Sequence, residues 1–392
     1  IMRRAIDRKS GHPSVRVVVA GCYPQASAEA LVEDVPGLDL IVGNPDKERI
    51  PELLEDCSAG AGSGPGVAVP RIEVKDVFEE KSLEPSLIET FSGYTRAFLR
   101  IQEGCNRRCS YCIVPFTRGR SRSAPPALVI DQARAFAAHG YREIVIVGIH
   151  IGRYGRDLEP QTTLAELLPR LAEIEGIERI RLSSIDPKEI SPALLGSLDA
   201  IRDKLCDHFH ISLQSGDDGV LRRMRRSYSP DEFAATVERL RGLFPDAGIG
   251  ADVIVGFPGE TDAAFEATRG LVERLELSYL HVFRYSQRPG TDAAQMPDQV
   301  NEEVKKERAK IMRRVRKELM EKFRARFAGC ELEVLLESRR LGDEQMLTGL
   351  AGNYLRVFGH GPDELMGKTA RAKIAGPAPG GVEASGFELR NG

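Results

Sequence analysis

Ala97-Phe98-Leu99-Arg100-Ile101-Gln102-Glu103-Gly104-Cys105-Asn106-Arg107-Arg108-Cys109-Ser110-Tyr111-Cys112 runs from an apolar strand straight into a loop that carries three cysteines. Ala97–Gln102 has the size and composition of a strand, so the thiols sit on the loop that leaves its C-terminal end. Thiolates are soft ligands suited to iron–sulfur clusters or zinc. The spacing C-x3-C-x2-C gives three ligands from one compact loop, and a cubane held by three cysteines keeps one iron open to chelate a substrate. Structural zinc is the alternative, but it wants four ligands and usually two pairs. Cys109 and Cys112 make one pair and Cys206 stands far away, so a second pair is missing. Three unliganded core cysteines fit poorly beside Arg107 and Arg108.

Outward from this loop, five further strand-like runs follow: Glu143–Ile151, Arg179–Ile185, His208–Gln214, Ala251–Phe257 and Tyr279–Tyr285. Amphipathic stretches separate them, among them Ala127–His139, Leu164–Ile174, Asp231–Leu243 and Ala263–Leu275. Repeated strand–helix units specify a parallel sheet with right-handed crossovers. Six units suit an α/β fold with a partial (β/α)6 barrel better than a closed eight-stranded one, and the working face lies at the C-terminal strand ends. Before it, residues 1–66 show a βαβα pattern with runs Val15–Ala20 and Leu38–Val42, the core of a small αβα domain, ending in the flexible stretch Ser58–Gly66. Neither that stretch nor Gly367-Lys368-Thr369 satisfies a phosphate-loop register. The barrel-like core spans 90–326 and closes with a helix, 301–326, in which eleven Lys/Arg face five Glu. Residues 327–376, with runs Glu331–Leu336, Leu347–Phe358 and Thr369–Ile374 punctuated by glycines, predict a small antiparallel β-barrel; the Gly/Pro-rich tail 377–392 predicts poor order.

Seven cysteines among 392 residues, three of them clustered, do not resemble a secreted disulfide scaffold and point to a reducing, cytoplasmic setting. No apolar stretch reaches the roughly 18 residues of a membrane span, so no membrane is expected. Ile1 in place of Met implies sequence upstream, where a targeting segment could lie. A net charge of −3 argues against a wholly basic nucleic-acid binder but hides the local surplus on the helix 301–326.

The cysteine loop, with an aromatic before its last cysteine, resembles the signature of radical S-adenosylmethionine enzymes. Together with Arg118–Ser121 (RGRS), His208–Gly216 (HFHISLQSG), Val253–Glu260 (VIVGFPGE) and Phe283–Thr291 (FRYSQRPGT), and with the domain order, nearly the whole chain is similar to the radical S-adenosylmethionine methylthiotransferases. Within them, Gly148-Ile149-His150-Ile151-Gly152 and Tyr154-Gly155-Arg156-Asp157 resemble the subgroup acting on N6-threonylcarbamoyladenosine beside the tRNA anticodon. The resemblance implies a radical-SAM barrel, a TRAM-like RNA-binding barrel at 327–376, and tRNA as partner. It implies a 4Fe-4S cluster on Cys105, Cys109 and Cys112 that binds S-adenosylmethionine and passes it an electron, giving a 5′-deoxyadenosyl radical. An electron donor such as flavodoxin or ferredoxin would reduce that cluster. A second, auxiliary 4Fe-4S cluster would take three N-terminal cysteines, of which Cys22 alone has a counterpart here; the other two are expected upstream of Ile1. A buried-core role for Cys22 stays open, and Cys57, Cys206 and Cys330 read as ordinary core cysteines. Rival functions are the same chemistry on isopentenyladenosine tRNA or a ribosomal-protein aspartate, and a non-catalytic metal-containing RNA-binding protein.

Strand parity supplies the cofactor candidates. His208, His210, Ser212 and Gln214 share one face of their strand, opposite Phe209, Ile211 and Leu213. Barrel strands ordinarily fill the lumen with aliphatic residues, so a polar inner face implies a ligand cavity or a buried hydrogen-bond network. Ser184, Asp252 and Arg284 are candidates of the same kind, and Gly256 would let the backbone approach the adenine. Arg118, Arg120, Arg122, Arg222, Arg225 and, on the small barrel, Tyr354 and Arg356 are the RNA-contact candidates; solvated surface, or core packing, is the plainer alternative for such residues.

Overall fold

A computed structural model describes residues 2–12, 14–59, 70–342 and 345–389 and separates into two compact units. The first runs to Leu83 and takes in Glu103–Arg108 and Cys112–Arg122. The second comprises Glu84–Gln102, Cys109–Tyr111 and the chain from Ser123 onward.

In the first unit, strands β1 (Val18–Ala20), β2 (Leu40–Val42) and β3 (Arg71–Glu73) pair in parallel in that order. Parallel neighbours need long crossovers, and the helices Cys22–Asp34 and Ile50–Ala59 supply them. Because side chains alternate along a strand, Ile41 joins Val17, Leu31 and Leu38 on one face, while Leu40 and Val42 join Leu53 on the other. A helix that the periodicity missed, Met2–Ser10, covers the first face with Met2, Ala5 and Ile6. The boundary expected at 66 is too early, since β3 lies beyond it. Of the stretch expected to be flexible, Ser58 and Ala59 end a helix and the remainder lies outside the described residues.

The second unit contains the six expected parallel strands: β4 (Arg96–Arg100), β5 (Glu143–Val147), β6 (Arg179–Leu182), β7 (His208–Gln214), β8 (Gly248–Val255) and β9 (Tyr279–Arg284). They form two three-stranded ladders, β4-β5-β6 and β7-β8-β9, joined edge to edge by the bridges Ile180–Leu205 and Ile185–Ile211. Among the described residues β9 and β4 share no ladder, so the barrel is partial. Helices Pro126–Ala138, Leu164–Ala172, Pro230–Leu243 and Asp262–Arg274 cover its outside. Their starts are written locally: Thr163 with Glu166 and Ser229 with Glu232 form reciprocal capping boxes that satisfy otherwise orphaned N–H groups.

Helix Glu302–Ala325 follows, then a closed five-stranded barrel of β10 (Glu331–Leu336), β11 (Leu347–Ala351), β12 (Arg356–Gly359), β13 (Thr369–Ala378) and β14 (Gly381–Leu389). The run expected as one strand, Leu347–Phe358, is two, because Gly352–Tyr354 turns the chain with Tyr354 at φ 73°. The tail expected to lack order, 377–392, instead supplies the closing strand. β14 pairs antiparallel with β13 and parallel with β12, burying Val382 and Ala384 in a core shared with Phe323 and Phe327.

The foot of the partial barrel holds the small barrel through a buried ionic cluster. Glu143 lies between Arg179 (2.8 Å) and Arg181 (2.7 Å). Arg179 donates to Leu350 O at 3.0 Å, and Arg181 donates to Gly352 O at 2.7 Å and Ala351 O at 3.1 Å. Burial alone would raise the Glu143 carboxyl, but the two guanidiniums dominate and lower it to about 2.

Candidate active site

The cysteine loop is divided between the two units, and each part is held by neighbours within its own unit. Gly104 has φ 69°, and a Cβ there would lie 2.0 Å from the Arg120 carbonyl oxygen, so only glycine fits. Next to it, Cys105 N–H donates to Gly119 O at 3.1 Å and Ser121 N–H to Asn106 Oδ1 at 3.0 Å. Cys105 Sγ accepts from the Arg107 N–H at 3.4 Å, and Cys105 and Cys112 are both half-buried members of the first unit. Cys109 belongs to the second unit, where Ser110 Oγ donates to Arg223 O at 2.7 Å and Tyr111 meets the Phe257 ring edge-on. Cys109 is buried with its Sγ 3.5 Å from Arg226 Nη1. That guanidinium is held by Asp186 at 2.8 Å and by the Tyr228 hydroxyl at 3.0 Å.

Cys22, at the start of helix Cys22–Asp34, sits in a comparable setting. Its Sγ accepts from Arg118 Nε at 2.9 Å and from Asn44 Nδ2 at 3.6 Å. Burial pushes the thiol up, yet the Arg118 and Asn44 hydrogen bonds outweigh it and hold the thiol below its ordinary value. Arg118 is also paired with Glu103 at 3.0 Å. Of the cysteines read as core residues, Cys206 is one, its thiol pushed up to about 11 by burial; Cys330 is exposed and so is not; and the side chain of Cys57 lies outside the described residues.

The inner face of β7–β9 is polar, as strand parity predicts. Ser184 Oγ lies 3.2 Å from Ser212 Oγ, and His210 Nε2 lies 3.1 Å from Asp252. Desolvation works against the Asp252 carboxylate, but hydrogen bonds from His210 and His281 hold it well below the usual range. The Tyr279 hydroxyl bridges His208 Nε2 (2.7 Å) and His210 Nδ1 (2.9 Å). Burial first, then Arg181, keeps His208 well below an ordinary imidazole, so it is neutral. Gln214 departs from the alternation: its φ is 67°, and the register slips there, pairing Gln214 with Val253 just after Ser212 with Asp252.

Two candidates take other roles. Arg284 falls on the opposite parity from Tyr279 and His281 and leans towards Glu302, 3.7 Å away, not towards the polar face. Gly256 is required by the long helix: a Cβ would lie 2.3 Å from Lys305 Cγ, and its N–H donates to Glu260 Oε2 at 2.7 Å. Glu260 in turn pairs with Arg308 at 2.7 Å, a buried tie between the Gly256–Glu260 loop and helix Glu302–Ala325 that no local pattern announced.

The RNA candidates separate by partner. Arg118 is spent on Cys22 and Glu103, and Arg122 is buried, donating to Glu80 O and Arg118 O. Neither guanidinium is offered to solvent as expected. Arg120 and Arg222 are exposed, and Arg225 is exposed in an ion pair with Asp292. Tyr354 stacks on His208 with centroids 4.2 Å apart and takes Arg181 over its ring, yet stays 43% exposed. Arg356 is exposed on β12. In the stretch Gly148–Asp157, His150 pairs with Glu189 at 2.8 Å, a Cβ on Gly152 would strike Glu189, and Asp157 binds the Ser123 N–H and hydroxyl, each at 2.7 Å.

Comparison with known proteins bears on family and fold. The family model described as the radical SAM superfamily matches residues 99–272. A threonylcarbamoyladenosine tRNA methylthiotransferase, MtaB, of Bacillus subtilis is 38% identical over 95% of this chain and 81% of its own length. The Rickettsia prowazekii protein of the same name is 37% identical over 86% and 77%. A tRNA-2-methylthio-N(6)-dimethylallyladenosine synthase of Clostridium novyi is 35% identical over 95% and 80%. Among solved structures, the radical S-adenosylmethionine methyltransferase TsrM of Kitasatospora setae superposes with a TM-score of 0.58 at 17% identity, covering 75% of this chain and 62% of that one, which supports the fold.

Proposed function

Since this chain belongs to the radical S-adenosylmethionine methylthiotransferase family, we propose that it methylthiolates N6-threonylcarbamoyladenosine beside the tRNA anticodon. The observation that carries the reading is the three-cysteine loop that leaves β4, with Cys109 buried against Arg226. The donor set fits a cluster: the residues are thiols in an unbroken C-x3-C-x2-C, and a fixed cation offsets the negative charge of sulfur-ligated iron. Cys105, Cys109 and Cys112 would hold the 4Fe-4S cluster of the family, and Cys22, under Arg118 and Asn44, would be one ligand of the auxiliary cluster. Bound there, the first cluster would supply the electron that splits S-adenosylmethionine, a route to an adenine C–H that no side-chain base could deprotonate.

The protein's own residues do the holding. Ser184, Ser212, His210 and Asp252 line the inner face with fixed hydrogen-bonding groups for S-adenosylmethionine, and the Gly256–Glu260 loop is tied back by Arg308. Arg120, Arg222 and Arg225 are the exposed cations left for a phosphate backbone on this reading. Among the described residues no helix is long and apolar enough to cross a membrane; the cytoplasm, with a flavodoxin- or ferredoxin-like reductant, is the setting that suits such a reaction. The two relatives named for threonylcarbamoyladenosine, with the subgroup resemblance of the stretch Gly148–Asp157, favour that nucleoside over the dimethylallyl one.

The test is anaerobic reconstitution with iron and sulfide, followed by turnover on tRNA carrying either adenosine derivative and on a ribosomal-protein aspartate peptide, with mass spectrometry of products. A methylthio group carried on the threonylcarbamoyl nucleoside is the expected result. Conversion of another substrate alone would reject the assignment. Cys109→Ala should lose both the iron–sulfur absorbance and S-adenosylmethionine cleavage, and zinc in place of iron would favour a non-catalytic RNA-binding protein.

A further inference from the structure

The gap between β9 and β4 contains a cavity of about 240 Å³ at the N-terminal ends of those strands, where Arg96 and Tyr279 are first residues. Arg96 enters from β4, Arg316 and Arg324 from helix Glu302–Ala325, and Arg356 from β12, so three separate elements bring four guanidiniums to one lining. Arg96 has Glu143 at 4.0 Å, but that carboxylate is already shared by Arg179 and Arg181. Among the described residues, Arg316, Arg324 and Arg356 have no carboxylate within salt-bridge distance; Glu337 is the one acid of the lining. Burial, and more weakly the nearby Arg316, hold Arg324 below its ordinary value against the pull of Glu321. Tyr354, also in the lining, keeps a left-handed backbone, φ 73°, that a tyrosine rarely adopts, and such strain tends to persist at binding sites.

This charge selects the ligand. His210, Asp252 and His281 have the spacing of a cation site, their ligand atoms all lying within 4.8 Å of one another. The surrounding arginines repel a divalent ion, and Asp252 is already engaged by both imidazoles. An anion is what the lining answers, and arginine forks match phosphate best. The volume is below the roughly 300–1,000 Å³ of pockets that enclose drug-sized ligands, so it suits a phosphate with its adjoining sugar. The loops at the other ends of β4 and β9 lie about 15–20 Å away at the rise of an extended strand, so this phosphate is not that of the nucleotide under modification. We propose that the cavity grips one backbone phosphate of the RNA substrate at a distance from the reacting nucleotide, an inference that rests on the RNA reading above.

The experiment measures binding of labelled tRNA to the full chain by fluorescence anisotropy over a range of KCl. Arg316→Gln and Arg356→Gln should each weaken binding about three- to tenfold and reduce the slope of log Kd against log salt by about 1. Arg314→Gln, an exposed arginine of the same helix outside the lining, should change either much less. Thermal midpoints of the variants confirm that they fold. Variants that bind as tightly as a wild type that binds and converts tRNA overturn this inference alone. A wild type that binds no tRNA overturns both it and the RNA reading. Inorganic phosphate is the second probe: an arginine-dependent phosphate site without any change in tRNA affinity would make this a free-anion site and reject the RNA assignment.

Discussion

Asp207 shows how one side chain can work against the fold that holds it. It precedes β7, and its Oδ1 would lie 2.6 Å from a Cβ on Gly352 of the small barrel. Burial, with Asp246 adding, outweighs the pull of Arg181 and Arg179 and raises its carboxyl to about 6. A raised acid binds its proton more tightly folded than unfolded. Its cost is therefore absent below about pH 4, grows as pH rises towards 6, and is complete above that. Asp207→Asn should stabilise the protein at pH 8 by up to about 3 kcal/mol and be neutral near pH 3.5, measured by urea unfolding at both. The same scale shows what sequence can and cannot say. Cys105, Cys109 and Cys112 were legible because ligand spacing is a property of the chain itself. Arg118 and Arg122 were not, since a charge in sequence does not name its partner. Both are turned inward, to Cys22 and Glu103 and to the carbonyls of Glu80 and Arg118.

At the scale of elements, β5 and β14 carry the clearest expectations. Glu143 begins β5, and its depressed carboxyl contributes stability that is present above its unfolded value near 4.5 and is lost as pH falls to about 2. Glu143→Gln should cost about 3 kcal/mol at pH 7, by leaving Arg179 and Arg181 buried without a counter-charge, and should converge on wild type as pH approaches 2. Thermal unfolding across that range checks it, and a pH-independent difference would contradict the ion-pair account. Ending the chain at Gly380 removes β14, opening the small barrel on both β12 and β13. Hydrogen exchange should then accelerate across Thr369–Ala378 while β4–β9 stay protected. Strand β14 was readable in principle: Val382 and Ala384 alternate with polar residues after a Gly380-Gly381 turn. Glycine and proline content hid it, because composition alone does not distinguish a hairpin turn from a loose tail. The Gly352-Asn353 turn inside Leu347–Phe358 was hidden by the flanking apolar residues in the same way.

Across the second unit, helix Glu302–Ala325 ties distant parts together. Near its start, Arg308 secures Glu260 and Lys305 fills the space over Gly256; near its end, Phe323 enters the core of the small barrel. Glu260→Gln keeps the shape but weakens the charge-assisted bond to Arg308, and should loosen S-adenosylmethionine binding about tenfold in equilibrium dialysis, with little change in thermal midpoint. The strand count and order were foreseeable from periodicity, but this tie joins residues nearly fifty positions apart, and only the folded chain brings them within reach. The missing ladder between β9 and β4 has its own outcome. A fully closed cylinder admits material only through its two mouths, which suits small molecules that diffuse in and out. Where the cylinder stays unclosed, the strand edges are met instead by helix Glu302–Ala325 and the small barrel, so the one interruption in the sheet is where three parts of the chain converge on a single hollow.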